Sequence, residues 1–229
     1  MSDTDSFIEE VTEEVRRDRL FRLMRRYGWI AILAILLLVG GATWNEWRKA
    51  QARESAQALG DSILAALSAE ERAARAAALA GIDAPDPEAA AVVDLLAAAE
   101  GAEQEPEAAA QRLLEIADRE ATLPVYRQIA TLKAVTLPGG GLDPETRRAR
   151  LEGLVAAGGA VRLLAEEQLA LIALETGDRA AALETLARIA QDAEATAGLR
   201  RRVTQVIVAL GKEPPDTPMR APDAADVLQ

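Results

Sequence analysis

An apolar window without a single charged residue extends over residues 27–45 and most constrains what this chain can fold into. As a helix, a window of about 19 residues is about 28 Å long, close to the ~30 Å hydrocarbon core of a bilayer. Amphipathic aromatic rings, which prefer the membrane–water interface, stand at both ends: Tyr27 and Trp29, then Trp44 and Trp47. The sequence therefore predicts one transmembrane helix, at residues 27–47.

Positive charge is distributed unequally around this window. The basic residues that follow it are fewer than those that precede it, namely Arg16, Arg17, Arg19, Arg22, Arg25 and Arg26, against Arg48, Lys49 and Arg53. Because cationic residues near a span are retained in the cytoplasm, residues 1–26 are predicted to be a cytoplasmic, acidic and arginine-rich helical segment. A cleaved signal peptide is the alternative, but its leading region would be unusually long and acidic.

The remainder of the chain has a helical composition, rich in Ala, Leu, Glu and Arg and poor in β-branched and aromatic residues. The chain has no cysteine and no histidine, which removes thiolate chemistry and the commonest general base and metal ligand. The net charge of −11 disfavours nucleic acid as a partner. We expect no catalytic residue, no metal site and no cofactor.

Apolar periodicity, proline and glycine divide residues 48–211 into a series of helices. An amphipathic stretch from Ala52 to Leu67 comes first, and Ser68 with Glu71 has the spacing of a capping box that opens the next helix. Seven further helices are predicted at residues 88–100, 106–117, 124–137, 144–157, 161–176, 178–191 and 199–210. The tail, residues 212–229, is rich in proline and is predicted to be disordered.

The second helices of successive pairs begin near Pro106, Pro144 and Asp178, at spacings of about 38 and about 34 residues, which indicates a helical repeat array. Residues 163–190 read LLAEEQLALIALETGDRAAALETLARIA and resemble one tetratricopeptide repeat. The proposed packing positions of that unit are Leu169, Ala170, Gly177, Asp178, Ala182 and Leu186, and its two aromatic positions carry Glu166 and Ala173. The predicted fold class is all-α: one N-terminal transmembrane helix followed by a tetratricopeptide-like solenoid of helical hairpins.

The order of segments resembles a known family. An acidic head, SFIEEVTEEVRRDRL, is followed by RRYGW, one apolar span, WNEWRKAQ and helical repeats. In this order the chain resembles the YfgM-like family, ancillary subunits of the SecYEG translocon. The resemblance implies a single-pass protein of the bacterial inner membrane with a periplasmic repeat domain. It implies as partners the lipid bilayer, the translocon and a periplasmic chaperone of the foldase type.

Two classes of function follow from this architecture. The first is a non-enzymatic scaffold that presents its repeats to exported proteins or chaperones beside the translocon. The second is an assembly or stability factor for another inner-membrane complex, such as a respiratory or envelope complex. An enzyme is disfavoured because Gly139-Gly140-Gly141 is followed by no Lys-Ser/Thr pair, as a phosphate-binding loop would require. The sequence leaves open whether the domain forms a homodimer.

Overall fold

A computed structural model describes residues 3–215, with the side chains of residues 3–29, 31, 32 and 34 outside that description. This part of the chain is all-α, as predicted. Its α-helices are α1 (Asp3–Leu67), α2 (Arg72–Ala80), α3 (Pro87–Gly101), α4 (Pro106–Asp118), α5 (Pro124–Thr136), α6 (Pro144–Ala157), α7 (Arg162–Glu175), α8 (Arg179–Gln191) and α9 (Ala197–Ala209).

The bounds of α3 to α9 agree with the predicted helices to within about two residues, because all of these helices except α7 begin with a proline or a capping side chain. Four of these helices begin with proline, which costs nothing in a first turn where the missing N–H would be unpaired. Side chains cap several others: Asp178, for example, accepts a hydrogen bond from the backbone N–H of Ala181.

The predicted capping box at Ser68 is wrong. Helix α2 begins only at Arg72, and its N-cap Glu71 makes no side-chain capping bond. The Ser68 hydroxyl instead donates to the carbonyl of Ala65 at 2.7 Å, and the same carbonyl also accepts the backbone N–H of Ser68 at 3.2 Å. The Ser68 side chain thus closes the end of α1, which competes with a capping role at the start of α2.

Contacts divide the chain into two compact units, Met1–Gly60 and Asp61–Gln229. The first unit consists of helical chain from α1, and the second contains the end of α1 and helices α2 to α9. The predicted start of the repeat domain, at residue 48, thus falls inside α1 and ahead of the second unit.

Among the side chains that the structure describes, no helical stretch is both long and apolar enough to cross a membrane. The span predicted at residues 27–47 includes residues 27–29, 31, 32 and 34, which lie outside that description. The transmembrane helix therefore stays a prediction. The tail predicted at 212–229 lies outside the described residues from residue 216 onward.

The core of the second unit is a chain of four apolar clusters, each formed by three successive helices. They are built from the end of α1 with α2 and α3, then α3 to α5, α5 to α7 and α7 to α9. Neighbouring clusters share an odd-numbered helix, so each helical hairpin packs on the first helix of the next. This is the tetratricopeptide-like repeat arrangement, in which apolar burial is divided among nearest neighbours.

Candidate protein-binding groove

The odd-numbered helices α5, α7 and α9 together line a groove of about 780 Å³. Each of them has one face in the core and a second face that forms a wall or the floor of the groove. On α7 the second face consists of Leu164, Gln168 and Leu171, spaced by four and three residues as one helical stripe. We call this surface the α5/α7/α9 groove.

The floor of the groove is aliphatic. Leu132 of α5, Leu164 and Leu171 of α7 and Val206 of α9 are half-buried and face the same space, and fully buried Leu186 of α8 lies beneath them. No aromatic residue lines the groove. A partner would therefore gain affinity by removing aliphatic surface from water, at roughly 25 cal/mol per Å² buried.

A buried ion pair joins two walls of the groove. The guanidinium of Arg202 on α9 donates two hydrogen bonds to the carboxylate of Glu167 on α7, at 3.0 Å and 2.7 Å. Glu167 is almost completely buried, whereas Arg202 is half-exposed. Hydrogen bonding by Glu167 raises the pKa of Arg202 above its ordinary value. The pair links α7 to α9, and the Glu167 carboxylate is therefore already bound within the protein.

The other polar groups of the groove retain hydrogen-bonding capacity. Gln168 on α7 and Gln205 on α9 line the groove, and the described residues give neither amide a hydrogen-bond partner. Lys133 of α5 also lines the groove, with no carboxylate within 4 Å of its ammonium in this part of the chain. Amides donate and accept, so they suit the main chain of a peptide, and the ammonium suits a carboxylate.

The two outer walls of the groove differ in charge from the chain as a whole. Helices α5 and α9 contain basic residues and no acidic residue, although the chain carries a net charge of −11. Their basic residues are Arg127, Lys133, Arg200, Arg201 and Arg202. Of these residues only Lys133 and Arg202 line the groove, and Arg202 is paired with Glu167, so Lys133 is the charge that a partner's carboxylate would meet.

A second cavity of about 500 Å³ lies next to the groove and shares Thr136, Gln168 and Leu171 with it. Its other side is the loop Gly139-Gly140-Gly141, in which the first and third glycines have φ of +74°. This left-handed backbone explains why glycine stands there. The positive φ of Gly139 and Gly141 shapes the turn between α5 and α6.

The residues singled out in the repeat-like unit lie in its packed interior and its turn, and of them only Leu186 also lines the groove. Ala170 and Ala182 are buried in the cluster of α7 to α9, together with Leu186, while Leu169 packs against the cluster of α5 to α7. Gly177 has φ of +88°, and the N–H of Asp178 donates to the carbonyl of Ala173 at 2.8 Å.

The predicted membrane residues fall in two groups. Trp44 and Trp47 are exposed on α1, with their ring centroids 5.2 Å apart and the ring planes 40° from parallel. The other side chains of this prediction lie outside the described residues: Tyr27, Trp29, Arg16, Arg17, Arg19, Arg22, Arg25 and Arg26.

The groove residues were not predicted from the sequence because its apolar periodicity was interpreted only as the pattern of a buried core. The stripe Leu164, Gln168 and Leu171 interleaves with the buried residues of α7, so that the helix is apolar on two faces. That double pattern, together with the absence of acids from α5 and α9, is the signal that was present in the sequence.

Residues 25–138 match the model of one protein family, described as a tetratricopeptide repeat-like domain. The comparison with curated proteins gives no match, and neither does the comparison with solved structures. The matched residues contain α2 to α5, whereas the repeat-like unit at residues 163–190 lies beyond them. Residues 25–138 are therefore similar to a tetratricopeptide repeat-like domain, a class of module that binds proteins and is typically non-catalytic.

Proposed function

We propose that this chain, with its tetratricopeptide repeat-like domain, is a non-enzymatic scaffold of the bacterial inner membrane that is ancillary to the Sec translocon. One transmembrane helix holds it in the membrane, its N-terminus is cytoplasmic and its repeat domain is periplasmic. The domain presents its groove to exported proteins or to a periplasmic chaperone. The observation that carries the proposal is the aliphatic α5/α7/α9 groove, of which only the α5 wall lies within the residues that match the repeat-like family model.

Membrane anchoring is supported by the apolar window and by the exposure of its described side chains. On α1 a run of large aliphatic residues is exposed around the helix: Ile30, Leu33, Ile35, Leu36, Leu37, Leu38 and Val39. A contiguous apolar surface of this kind is unfavourable in water and marks a membrane or protein contact. The arginines that precede the window favour the cytoplasmic N-terminus.

The aliphatic floor favours broad recognition of unfolded or partly folded chains. It offers no aromatic anchor, and hot spots of tight interfaces are enriched in aromatic residues and arginine. Binding by aliphatic contact and by amides that reach the peptide main chain depends little on the sequence of the partner. Such weak and broad binding suits the transfer of exported chains to a chaperone.

A pull-down in mild detergent tests the choice of partner. The protein carries a C-terminal tag at its native level, and the captured proteins are compared with those of an unrelated single-span protein. We expect enrichment of translocon subunits with a periplasmic foldase. Enrichment of a different membrane complex instead would make the protein an assembly factor, and equal capture by the control would overturn both functions.

Two matched leucine variants test whether the groove carries the interaction. Leu171→Glu places a carboxylate on the floor of the groove, whereas Leu64→Glu places one at an exposed position of α1. We expect the first variant to lose the captured chaperone and the second to retain it. Equal capture by the two variants would contradict a role for the groove.

Proteolysis of spheroplasts tests the topology separately. Protease added outside the inner membrane should digest the repeat domain and leave an N-terminal tag intact. If the repeat domain is protected until the membrane is lysed, the assigned orientation is wrong.

A further inference from the structure

We propose that the α5/α7/α9 groove is occupied, in the absence of a partner, by residues 216–229 of the same chain. The proposal rests on the proposed function in one respect, namely that the groove is the surface where partners bind. It adds that a partner gains access by displacing the chain's own C-terminal segment.

The described chain that precedes this segment begins at the groove wall. The groove wall formed by α9 extends to Ala209, the last residue of the helix. Gly211, with φ of +70°, turns the chain out of the helix, and the N–H of Lys212 donates back to the carbonyl of Ile207 at 3.2 Å. The described chain ends at Pro215, so residue 216 is only a few residues from the groove wall.

The segment is long enough to cross the groove. About 14 residues in extended form span about 46 Å, whereas a helix of about 13 residues, such as α9, is only about 20 Å long. A short tether raises the effective concentration of the segment at the groove to the millimolar range. Weak contacts are therefore sufficient for substantial occupancy.

The chemistry of the segment complements that of the groove. Residues 216–229 contain three aspartates and one arginine, namely Asp216, Asp223, Asp226 and Arg220, and thus carry net negative charge. Two basic residues line the groove: Arg202 is paired with Glu167, whereas Lys133 has no carboxylate within 4 Å among the described residues. Met219, Val227 and Leu228 supply apolar side chains for the aliphatic floor.

This arrangement has a consequence for partner choice. A partner that replaces the segment must offer the same chemistry, which is an extended stretch with aliphatic side chains and a carboxylate for Lys133. Basic segments would bind less tightly, because their positive charges would have no attraction to Lys133 and would be repelled by Lys133 and Arg202. The segment thus sets a threshold of affinity that a partner must exceed.

Site-specific photo-crosslinking in the full-length chain, reconstituted in lipid nanodiscs, tests the proposal. A benzophenone amino acid replaces Gln205, which is exposed on the groove wall, or Glu184, which is exposed on α8 and does not line the groove. After irradiation and digestion, mass spectrometry identifies the linked peptides. We expect peptides from residues 216–229 at Gln205 and not at Glu184.

Mixing ¹⁴N- and ¹⁵N-labelled protein shows whether a linked segment comes from the same molecule. Links within one isotope only support the proposal. Links between isotopes, equal links at both positions, or no link of the segment at Gln205 would overturn it. A negative crosslinking result would not affect the interpretation of the pull-down. The two experiments therefore test the occupancy of the groove and the proposed function separately.

Charge reversal on the segment provides a second test that does not perturb the fold of the groove. The double variant Asp223→Lys, Asp226→Lys should reduce the yield of the Gln205 crosslink by about two- to five-fold, as expected for exposed ion pairs. The reduction should be smaller at high salt, which screens such pairs. A yield that is unchanged at low salt would overturn the electrostatic part of the proposal.

Discussion

Among single residues, Arg162 makes the largest set of ionic contacts in the described chain. Its guanidinium contacts the carboxylates of Glu166, Asp192 and Glu194 at 2.9, 2.9 and 2.8 Å. Glu166 occupies a buried position, only 5% exposed, where the repeat to which this unit is similar has an aromatic residue. At this position an ionic network joins the start of α7 to α8 and the loop that follows it.

Arg162→Met should lower the melting temperature of the protein. The change leaves the buried Glu166 carboxylate with only the longer contact to Arg188, at 3.4 Å, and an underpaired buried charge is costly. Arg201→Met, at an exposed arginine of α9, is the matched control and should shift the melting temperature less. Equal shifts for the two variants would show that the network contributes nothing specific.

Gly177→Ala should destabilise the fold by about 1 kcal/mol, because its φ of +88° is unfavourable for any residue with a Cβ. An added Cβ would contact nothing within 4 Å, so the cost is purely one of backbone conformation. The control is Gly153→Ala, in open space within helix α6, which should stabilise by about 0.5–1 kcal/mol. Denaturant unfolding measures both, and effects of the same sign would refute this interpretation.

At the scale of elements, α7 holds the second unit together because it contributes to two clusters and to the groove. Leu163, Ala170 and Ala173 face α8 and α9, whereas Ala165 and Ile172 face α5 and α6. The remaining stripe forms the floor of the groove. A helix that is apolar around most of its circumference has to be covered on several sides.

Leu186→Ala, in the cluster of α7 to α9, should reduce the free energy of unfolding by about 2–5 kcal/mol. The side chain is fully buried, so its removal creates a cavity between α7, α8 and α9. Leu64→Ala removes the same atoms from a side chain that is 68% exposed and should change stability by less than about 0.5 kcal/mol. Denaturant unfolding followed by circular dichroism compares the two, and similar losses would be inconsistent with the assigned core.

At the scale of the whole molecule, ion pairs between arginine and carboxylate link helices that are one or two apart in chain order along the second unit. They connect α2 with α3, α4 with α6, α6 with α7, and α7 with α9. Because stability in a repeat array is a sum over neighbouring contacts, loss of these pairs is expected to loosen several junctions together.

Stability should fall in acid because of two of these carboxylates. Hydrogen bonding from Arg150 holds the pKa of Asp118 below its ordinary value of 3.8, and Arg162 does the same for the pKa of Asp192. The unfolded chain therefore takes up protons first. The stabilisation is complete above about pH 5 and is lost as pH falls below about 4, through the lowered pKa values of the folded state.

Thermal melts between pH 7 and pH 3 measure this effect. On acidification, the melting temperature of Arg150→Met should fall less than that of the parent chain, because the pKa of Asp118 is no longer lowered in this variant. Arg148→Met, at an exposed arginine on the same helix, should follow the parent. An identical pH dependence in all three proteins would contradict this assignment.

The sequence by itself determined the all-α class, the bounds of α3 to α9 and the repeat-like spacing of the hairpins. These features depend on signals within a few residues of each other, such as first-turn prolines, capping aspartates and apolar periodicity. The local pattern predicted the wrong start for α2. The Ser68 side chain could bond to the backbone at the start of α2 or at the end of α1, and only the folded structure shows that it bonds to the end of α1.

The tertiary structure alone decided where a binding surface lies. The groove requires Leu132, Leu171 and Val206 to face one space, although they are far apart in the chain and belong to different hairpins. It also decided that Arg202 pairs with Glu167, over a separation that no helical period predicts. Contacts of this kind arise from the stacking of hairpins, which sums many small packing preferences and leaves no local signature in the sequence.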